Sequence, residues 1–261
     1  MIRLDRDCFD AIAGTLGDTP FTVTPYFFLQ RRECDVYANE AVQPRYVVIV
    51  PHIWWADAYV FVLLALEAAQ VESLADFLGR LEFKGGLFVP AELIQPIRAR
   101  RRIFLEAEGL CFTYRQIPPD FAISRPGFAR RLSATEACAV GEWPDDSAFL
   151  YQNFRTPEAL VADGLAFGVF QADHLVSMAA SLALTPKHCD VGVYTLRRYR
   201  NLGYATDCVE ALFAEVLGRG IWPLWRIGIY QKLAIYFAEK LGMEEIGTTG
   251  REVYLQPYPA R

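Results

Sequence analysis

The sequence predicts a two-domain α/β protein, and three observations carry that expectation. Residues 190–216 read as a strand, a basic glycine-bearing turn and a helix. Strand-like and helix-like segments alternate on either side of that unit. Near residue 118 the pattern is broken by Gln116-Ile117-Pro118-Pro119-Asp120, which reads as a linker. The expected parts are therefore 1–117 and 120–261. A chain of 261 residues is long enough for a substantial core in either one or two units.

In the first part, Phe21 to Leu29, Tyr46 to Val50 and Gly109 to Arg115 read as strands. A packed helix is expected over Ala56 to Ala68. Further helices are expected over Ser73 to Leu81 and Pro90 to Arg101, with Gly85-Gly86 as a break between them. In the second part, Thr135 to Val161 reads as helix-rich. Gly164 to Gln171 and Leu175 to Leu184 read as antiparallel strands around Ala172-Asp173-His174. Asp190 to Tyr194 is the next strand. The helix after it carries Ala205, Val209, Leu212, Phe213 and Val216 on one face, the spacing i, i+4, i+7, i+8, i+11. Gly218 and Gly220 end it, and Pro223 opens another strand. A second helix and two short strands, Glu244 to Thr249 and Glu252 to Gln256, complete the part. No internal repeat is visible.

The chemistry concentrates in the turn Thr195-Leu196-Arg197-Arg198-Tyr199-Arg200-Asn201-Leu202-Gly203-Tyr204-Ala205-Thr206. A helix N-terminus offers about four unpaired N–H donors and the positive end of the dipole. A glycine lets a ligand approach the backbone, and arginines add charge. Together these describe an anion site suited to phosphates. Taken alone, Arg200-x-x-Gly203-x-Ala205 is equally readable as an ordinary strand-to-helix turn.

The turn resembles the pyrophosphate-binding signature of the GNAT superfamily of N-acyltransferases, and it does not stand alone. Asp190-Val191-Gly192-Val193-Tyr194-Thr195 resembles the family's fourth strand. Trp225-Arg226-Ile227-Gly228-Ile229-Tyr230-Gln231-Lys232-Leu233-Ala234, running on to Lys240-Leu241-Gly242-Met243, resembles its fifth strand and fourth helix. Phe128 to Glu136 resembles its first strand and first helix. The resemblance covers residues 120–261. It implies an α/β (α+β) GNAT-like acyl-CoA N-acyltransferase fold, with a mixed, mostly antiparallel sheet flanked by helices and a splay between the fourth and fifth strands. An N-terminal α/β domain precedes it, of a size that fits a degenerate GNAT-like half.

The resemblance further implies acetyl-CoA as cosubstrate and the primary amine of a small molecule or peptide as acceptor. Val193 and Thr195 would offer backbone groups to pantetheine. Arg200, Asn201, Leu202, Gly203, Tyr204, Ala205 and Thr206 would hold the pyrophosphate, with Arg197 and Arg198 as further candidates. Gln231 stands where relatives carry a cofactor-side asparagine. Asp190 stands where many carry an acidic residue that takes the amine's proton; the competing reading is a surface carboxylate at a strand start. Ala238 stands where many carry a tyrosine general acid, and Tyr236, about 200° around the helix, does not replace it. The missing tyrosine and the replacement of asparagine by Gln231 keep open an alternative, a non-catalytic acyl-CoA-binding or regulatory module.

Other features set limits. Hydrophobic residues make up 53% and charged residues 22% of the chain, and the net charge is −5. This predicts a folded protein without a nucleic-acid partner. Six scattered cysteines with no C-x-x-C pair, and three histidines, predict no metal site and reduced thiols in the cytoplasm. The N-terminus lacks a signal-peptide core. The most hydrophobic stretch, Tyr46 to Ala69, contains Pro51, His52, Asp57 and Glu67, so no membrane span is expected. A homodimer stays open. Arg98, Arg100, Arg101 and Arg102 read as a solvated face, Trp54-Trp55 and Trp222 as core or acceptor pocket, and Cys208 as a buried hydrophobe or an activated thiol.

Overall fold

Two sets of six strands build one sheet and exchange their last members. In the computed structural model, which describes residues 1–53, 58–81, 86–116, 118 and 121–255, the first set is β1 (Ile2–Arg3), β2 (Cys34–Ala38), β3 (Tyr46–Pro51), β4 (Ala58–Val62), β5 (Leu87–Val89) and β6 (Ile103–Thr113). The second is β7 (Arg130–Arg131), β8 (Ala166–Gln171), β9 (His174–Leu184), β10 (His188–Thr195), β11 (Trp222–Gly228) and β12 (Glu244–Leu255). The order across the sheet is β1-β2-β3-β4-β5-β12-β6-β11-β10-β9-β8-β7. Each strand thus has a counterpart six places on, with β12 completing the first set and β6 the second. The sheet is mixed and mostly antiparallel, as the resemblance implied. Its two parallel pairs are the counterparts β4–β5 and β10–β11.

The helices are α1 (Phe9–Leu16), α2 (Val23–Arg31), α3 (Ala68–Arg80), α4 (Ile94–Arg98), α5 (Ala134–Ala137), α6 (Pro157–Asp163), α7 (Tyr204–Gly218) and α8 (Lys232–Lys240). A parallel strand pair needs a crossover, and α3 and α7 supply it. α7 buries Val209, Leu212, Phe213 and Val216, the face expected from its spacing. α2 packs across β9 and β10. Its Phe27 ring stands edge-on to Phe28 at 5.3 Å and to Phe154 at 5.2 Å.

Several expected elements differ. Of Phe21 to Leu29, read as a strand, Val23 to Leu29 lies instead in α2. Its apolar residues Val23, Phe27 and Phe28 follow helical spacing, and Pro25 falls in the first turn, where its missing N–H costs nothing. The helix expected over Ala56 to Ala68 is replaced, in its described part, by β4 and a loop. Ala-Tyr-Val-Phe-Val is β-branched and aromatic, and the next helix, α3, starts only at Ala68, behind a capping box of Glu67 and Gln70. The helix over Pro90 to Arg101 shortens to a 3-10 turn and α4. The two final strands merge into β12, which keeps pairing with β6 by absorbing irregularities at three places. The internal repeat that the sequence hides is present in the strand order. Of the linker, Gln116 and Pro118 are among the described residues.

The feature that positions the site is the parting of β10 and β11. They pair over three positions, His188–Trp222, Cys189–Pro223 and Asp190–Leu224. A bulge between Asp190 and Val191 then turns β10 along β9, while β11 from Trp225 onward pairs with β6. Just past the bulge, Gly192 lets two side chains lie on the strand. A Cβ there would be 2.9 Å from both Leu182 and Phe149. Gly192→Ala is therefore expected to destabilise the protein by ~1–3 kcal/mol in urea unfolding. Gly218→Ala is the control: nothing lies within 4 Å of its Cβ position at the end of α7. There the change should be neutral or stabilise by up to ~1 kcal/mol. Equal effects would remove the crowding argument.

Candidate active site

The basic turn ends on an uncapped helix. Asn201 and Gly203 both adopt left-handed backbone, at φ 63° and 84°. Gly203 is the N-cap of α7 and has no side chain to satisfy the first-turn N–H groups. The counterpart helix α3 differs. Its N-cap Glu67 accepts from the third-residue N–H and donates its own N–H to Gln70 Oε1 at 3.0 Å. A carboxylate already sits where an anion would bind α3, whereas the end of α7 is open.

A clasp from residues 121–128 holds the turn from behind. Arg125 Nε donates to Asp207 Oδ1 at 2.8 Å, and its Nη2 reaches Asp207 Oδ2 and, at 3.2 Å, the Leu202 carbonyl. The guanidinium lies 4.3 Å from the Phe128 ring centre. Ser124 donates from its N–H and its hydroxyl to Glu210, at 2.6 and 2.7 Å. Asp207 and Glu210 are both buried. A Cβ on Gly203 would meet Arg125 Nη2 at 2.9 Å, so any side chain there disturbs the clasp as well as the backbone. At the front, Arg200 Nε donates to the Thr195 carbonyl at 3.0 Å.

The open side of the turn faces a cleft of about 600 Å³. Val193, Thr195, Arg200, Asn201, Gly203, Tyr204, Ala205 and Thr206 line it, opposite Leu233, Tyr236, Phe237 and Lys240 of α8. Leu202 is exposed and outside this wall; its contribution is the carbonyl bound by Arg125. Arg197 and Arg198 are exposed and also outside it. Ala238 is fully buried, while Tyr236 is exposed on the cleft wall.

A second cavity, of about 280 Å³, opens beyond the parting of the strands, and Asp190 lines it. Asp190 is buried, not a surface carboxylate. Its Oδ2 is 3.4 Å from Arg226 Nη1 and 3.5 Å from Thr24 Oγ1, which accepts from Arg226 Nη1 at 2.6 Å. Its Oδ1 is buried and has no hydrogen-bond partner among the described residues. Burial pushes the carboxyl up to about 6, against the opposing pull of Arg226 and Thr24. Gln231, expected beside the cofactor, lies on the wall of this second cavity, at the N-cap of α8. Tyr59 and Phe88, stacked at 5.0 Å, come to the same wall from β4 and β5.

Sequence reasoning passed over Thr24, Ser124, Arg125, Asp207, Glu210 and Arg226. One signal was available: Arg226 interrupts an apolar strand. Of the remaining candidates, Cys208 is buried and its thiol is pushed up to about 12, so it is no nucleophile. Arg98 pairs with Glu106, and Arg100 with Glu72 and Asp76. Trp222 packs against the α7 core. Trp54 and Trp55 lie outside the described residues. Among the described residues, no helix is long and apolar enough to cross a membrane.

Comparison with known proteins adds a family. A family model described as GNAT acetyltransferase matches residues 106–249. Over 101 residues the chain is 29% identical to an uncharacterized N-acetyltransferase, YdfB, of Bacillus subtilis (strain 168). That match spans 39% of this chain and 39% of the relative. A GCN5-related N-acetyltransferase-like protein from Streptococcus suis 89/1591 shares the fold with a TM-score of 0.69 at 20% identity, over 96% of this chain and 99% of that one. A tandem GNAT protein from the clavulanic acid biosynthesis pathway does so with a TM-score of 0.59 at 11% identity, over 99% of both chains.

The clasp makes a testable demand. Asp207→Asn keeps the shape but removes the charge that Arg125 holds in a buried setting. The expected cost is ~1–3 kcal/mol of stability, with faster amide exchange confined to residues 121–128 and the first turn of α7. Unchanged exchange in both segments would show that the clasp does not hold the turn.

Proposed function

Because the chain belongs to the GNAT acetyltransferases, a family of acyltransferase enzymes, we propose that it moves an acetyl group from acetyl-CoA to the primary amine of a small molecule or peptide. One observation carries the reading. The parting of β10 and β11 has an uncapped helix N-terminus on one side and a buried, underprotected carboxylate at its apex.

The residues present fit acetyl-CoA. The open end of α7, with Arg200 beside it, suits a pyrophosphate. The edge of β10 released from β11, including Val193 and Thr195, offers backbone groups to the amides of a pantetheine arm. The cosubstrate supplies an acyl carbon activated as a thioester. A neutral amine nitrogen attacks that carbon, the C–N bond forms and the C–S bond breaks. The amine's proton passes to the Asp190 carboxylate, directly or through water, and the thiolate takes a proton from solvent in the open cleft. With a pKa of about 6, Asp190 is ionised at neutral pH yet more basic than an ordinary carboxylate.

The division 1–117 and 120–261 is proposed here as one of roles. The repeated strand order and the likeness to a tandem GNAT protein support reading the first part as a degenerate GNAT-like half. Its helix end is self-capped by Glu67, so it would hold no cofactor and instead wall the acceptor side with Tyr59 and Phe88. A reducing, cytoplasmic setting is supported by six free cysteines.

Ala205→Glu is expected to abolish CoA binding in calorimetry, with an unchanged circular dichroism spectrum. The residue lines the cleft without backbone strain, and its carboxylate would face phosphate oxygens. Arg200→Ala should weaken binding by ~1–3 kcal/mol. CoA binding by folded Ala205→Glu at parental affinity would remove the phosphate site.

Thiol release should decline as the pH drops through about 6, where Asp190 takes up its proton. Asp190→Asn should lower kcat by ~10²–10⁴-fold and erase that limb of the profile. CoA binding with no thiol release from any amine would favour the acyl-CoA-binding module instead.

A further inference from the structure

We infer that Asn153 sets which nitrogen the site accepts: Asn153 Oδ1 and Asp190 Oδ1 together seat two N–H groups of one acceptor nitrogen, which selects a primary amine over its N-alkylated counterparts. The inference rests on the acetyl-transfer reading of the second cavity and deepens it. Asn153 and Asp190 both line that cavity, and they are only 8% and 6% exposed. Asn153 belongs to the 3-10 turn Gln152–Phe154, which the ring of Phe154 pins against Phe27 of α2. Leu182 of β9 stands opposite the break in the β9–β10 ladder. Ala183 pairs with Asp190 and Ser181 with Val191, so Leu182 is the extra residue between them. The Leu182 carbonyl accepts from Asn153 Nδ2 at 2.8 Å. That bond ties the Asn153 amide to the strand beside Asp190, one residue from its pairing partner.

The bond also fixes which way the amide faces. A carbonyl only accepts, so the nitrogen points at Leu182 and the oxygen points away from it. That oxygen takes no hydrogen bond from the described residues. Asp190 Oδ1 is in the same condition, while Asp190 Oδ2 has Arg226 and Thr24 beside it. Acceptors this deep are costly to leave unmet, and two on one cavity suit a ligand that brings donors. A neutral primary amine brings two N–H groups and a lone pair. With the N–H groups on Asp190 and Asn153, the lone pair is left for the acyl carbon. Once the C–N bond has formed, the proton on the Asp190 side passes to that carboxylate. The amide product keeps the N–H held by Asn153. A secondary amine has a single N–H, which the proton transfer needs, so Asn153 Oδ1 goes unmet.

The test uses the full chain saturated with CoA and three isomeric probes: hexylamine, N-methylpentylamine and N,N-dimethylbutylamine. As ammonium ions at neutral pH they carry three, two and one N–H. In calorimetry, N,N-dimethylbutylamine should bind at least ~10-fold more weakly than hexylamine, the scale of one charge-assisted hydrogen bond. The NMR signals of the Asn153 side-chain amide should shift along the hexylamine titration with the same Kd. With acetyl-CoA in place of CoA, thiol release should give hexylamine a kcat/KM at least ~10-fold above that of N-methylpentylamine. Asn153→Ala should bring both pairs to parity and leave the CoA Kd unchanged. Undetectable hexylamine binding, parity within either pair in the parent protein, Asn153 signals that ignore hexylamine, or a preference surviving Asn153→Ala would each overturn the inference. The parent comparison and the Asn153 signals decide even if the variant fails to fold. Thiol release at parity would leave acetyl transfer standing and remove the seat. An Asn153-dependent binding preference without thiol release from any amine would sink acetyl transfer and leave the two-acceptor seat standing.

Discussion

A buried contact between three chain segments fixes the centre of this molecule. Asp190 sits on β10 at the last position paired to β11, Arg226 sits on β11 just past it, and Thr24 comes from α2 of the other half. Removing a carboxylate from water is costly unless it is paired and hydrogen-bonded. Arg226 and Thr24 offset that cost at one oxygen and leave the other bare. The folded protein therefore holds the Asp190 proton to a higher pH than an unfolded chain does. Any stability this residue contributes is present at low pH and is lost as pH rises towards about 6. A carboxylate held basic by burial is also a stability burden, and the surrounding sheet carries that burden.

The two halves show how one topology accommodates two different helix ends and strand pairs. Each has a parallel strand pair bridged by a helix. In the first half the helix end is closed by Glu67 and the strands carry a stacked Tyr59–Phe88 pair. In the second the helix end is left to Gly203 and the strands diverge. The difference between an open and a closed helix end comes down to a glycine or a carboxylate at the helix N-cap.

Much of the second half was legible because its signals are local. The Arg200-x-x-Gly203-x-Ala205 turn, the buried face of α7 and the alternating strands each follow from residues near one another. What was missed depends on distant partners. Arg125 and Ser124 matter only because folding brings them behind a turn some 80 residues away. The helical spacing of Val23, Phe27 and Phe28 in α2 spans little more than one turn, and those β-branched and aromatic residues suit a strand equally well. Gln231 matches a motif position in sequence alone, and the start of α8 lies where the two cavities divide: Gln231 lines one, Leu233 the other. The repeat escaped notice because it survives in strand order and not in side chains.

The exchange of β6 and β12 has a consequence for how the protein is made. β6 is flanked on both sides by strands that follow it in the chain, and β5 waits for β12. During vectorial synthesis, β5 emerges with one unpaired edge and β6 with two, and they stay open until β11 and β12 have left the ribosome. Such edges invite pairing with the wrong chain. Closing the sheet also depends on contacts far apart in sequence, which form slowly. The architecture that joins the two halves at one centre thus makes the nascent chain a natural client for chaperones.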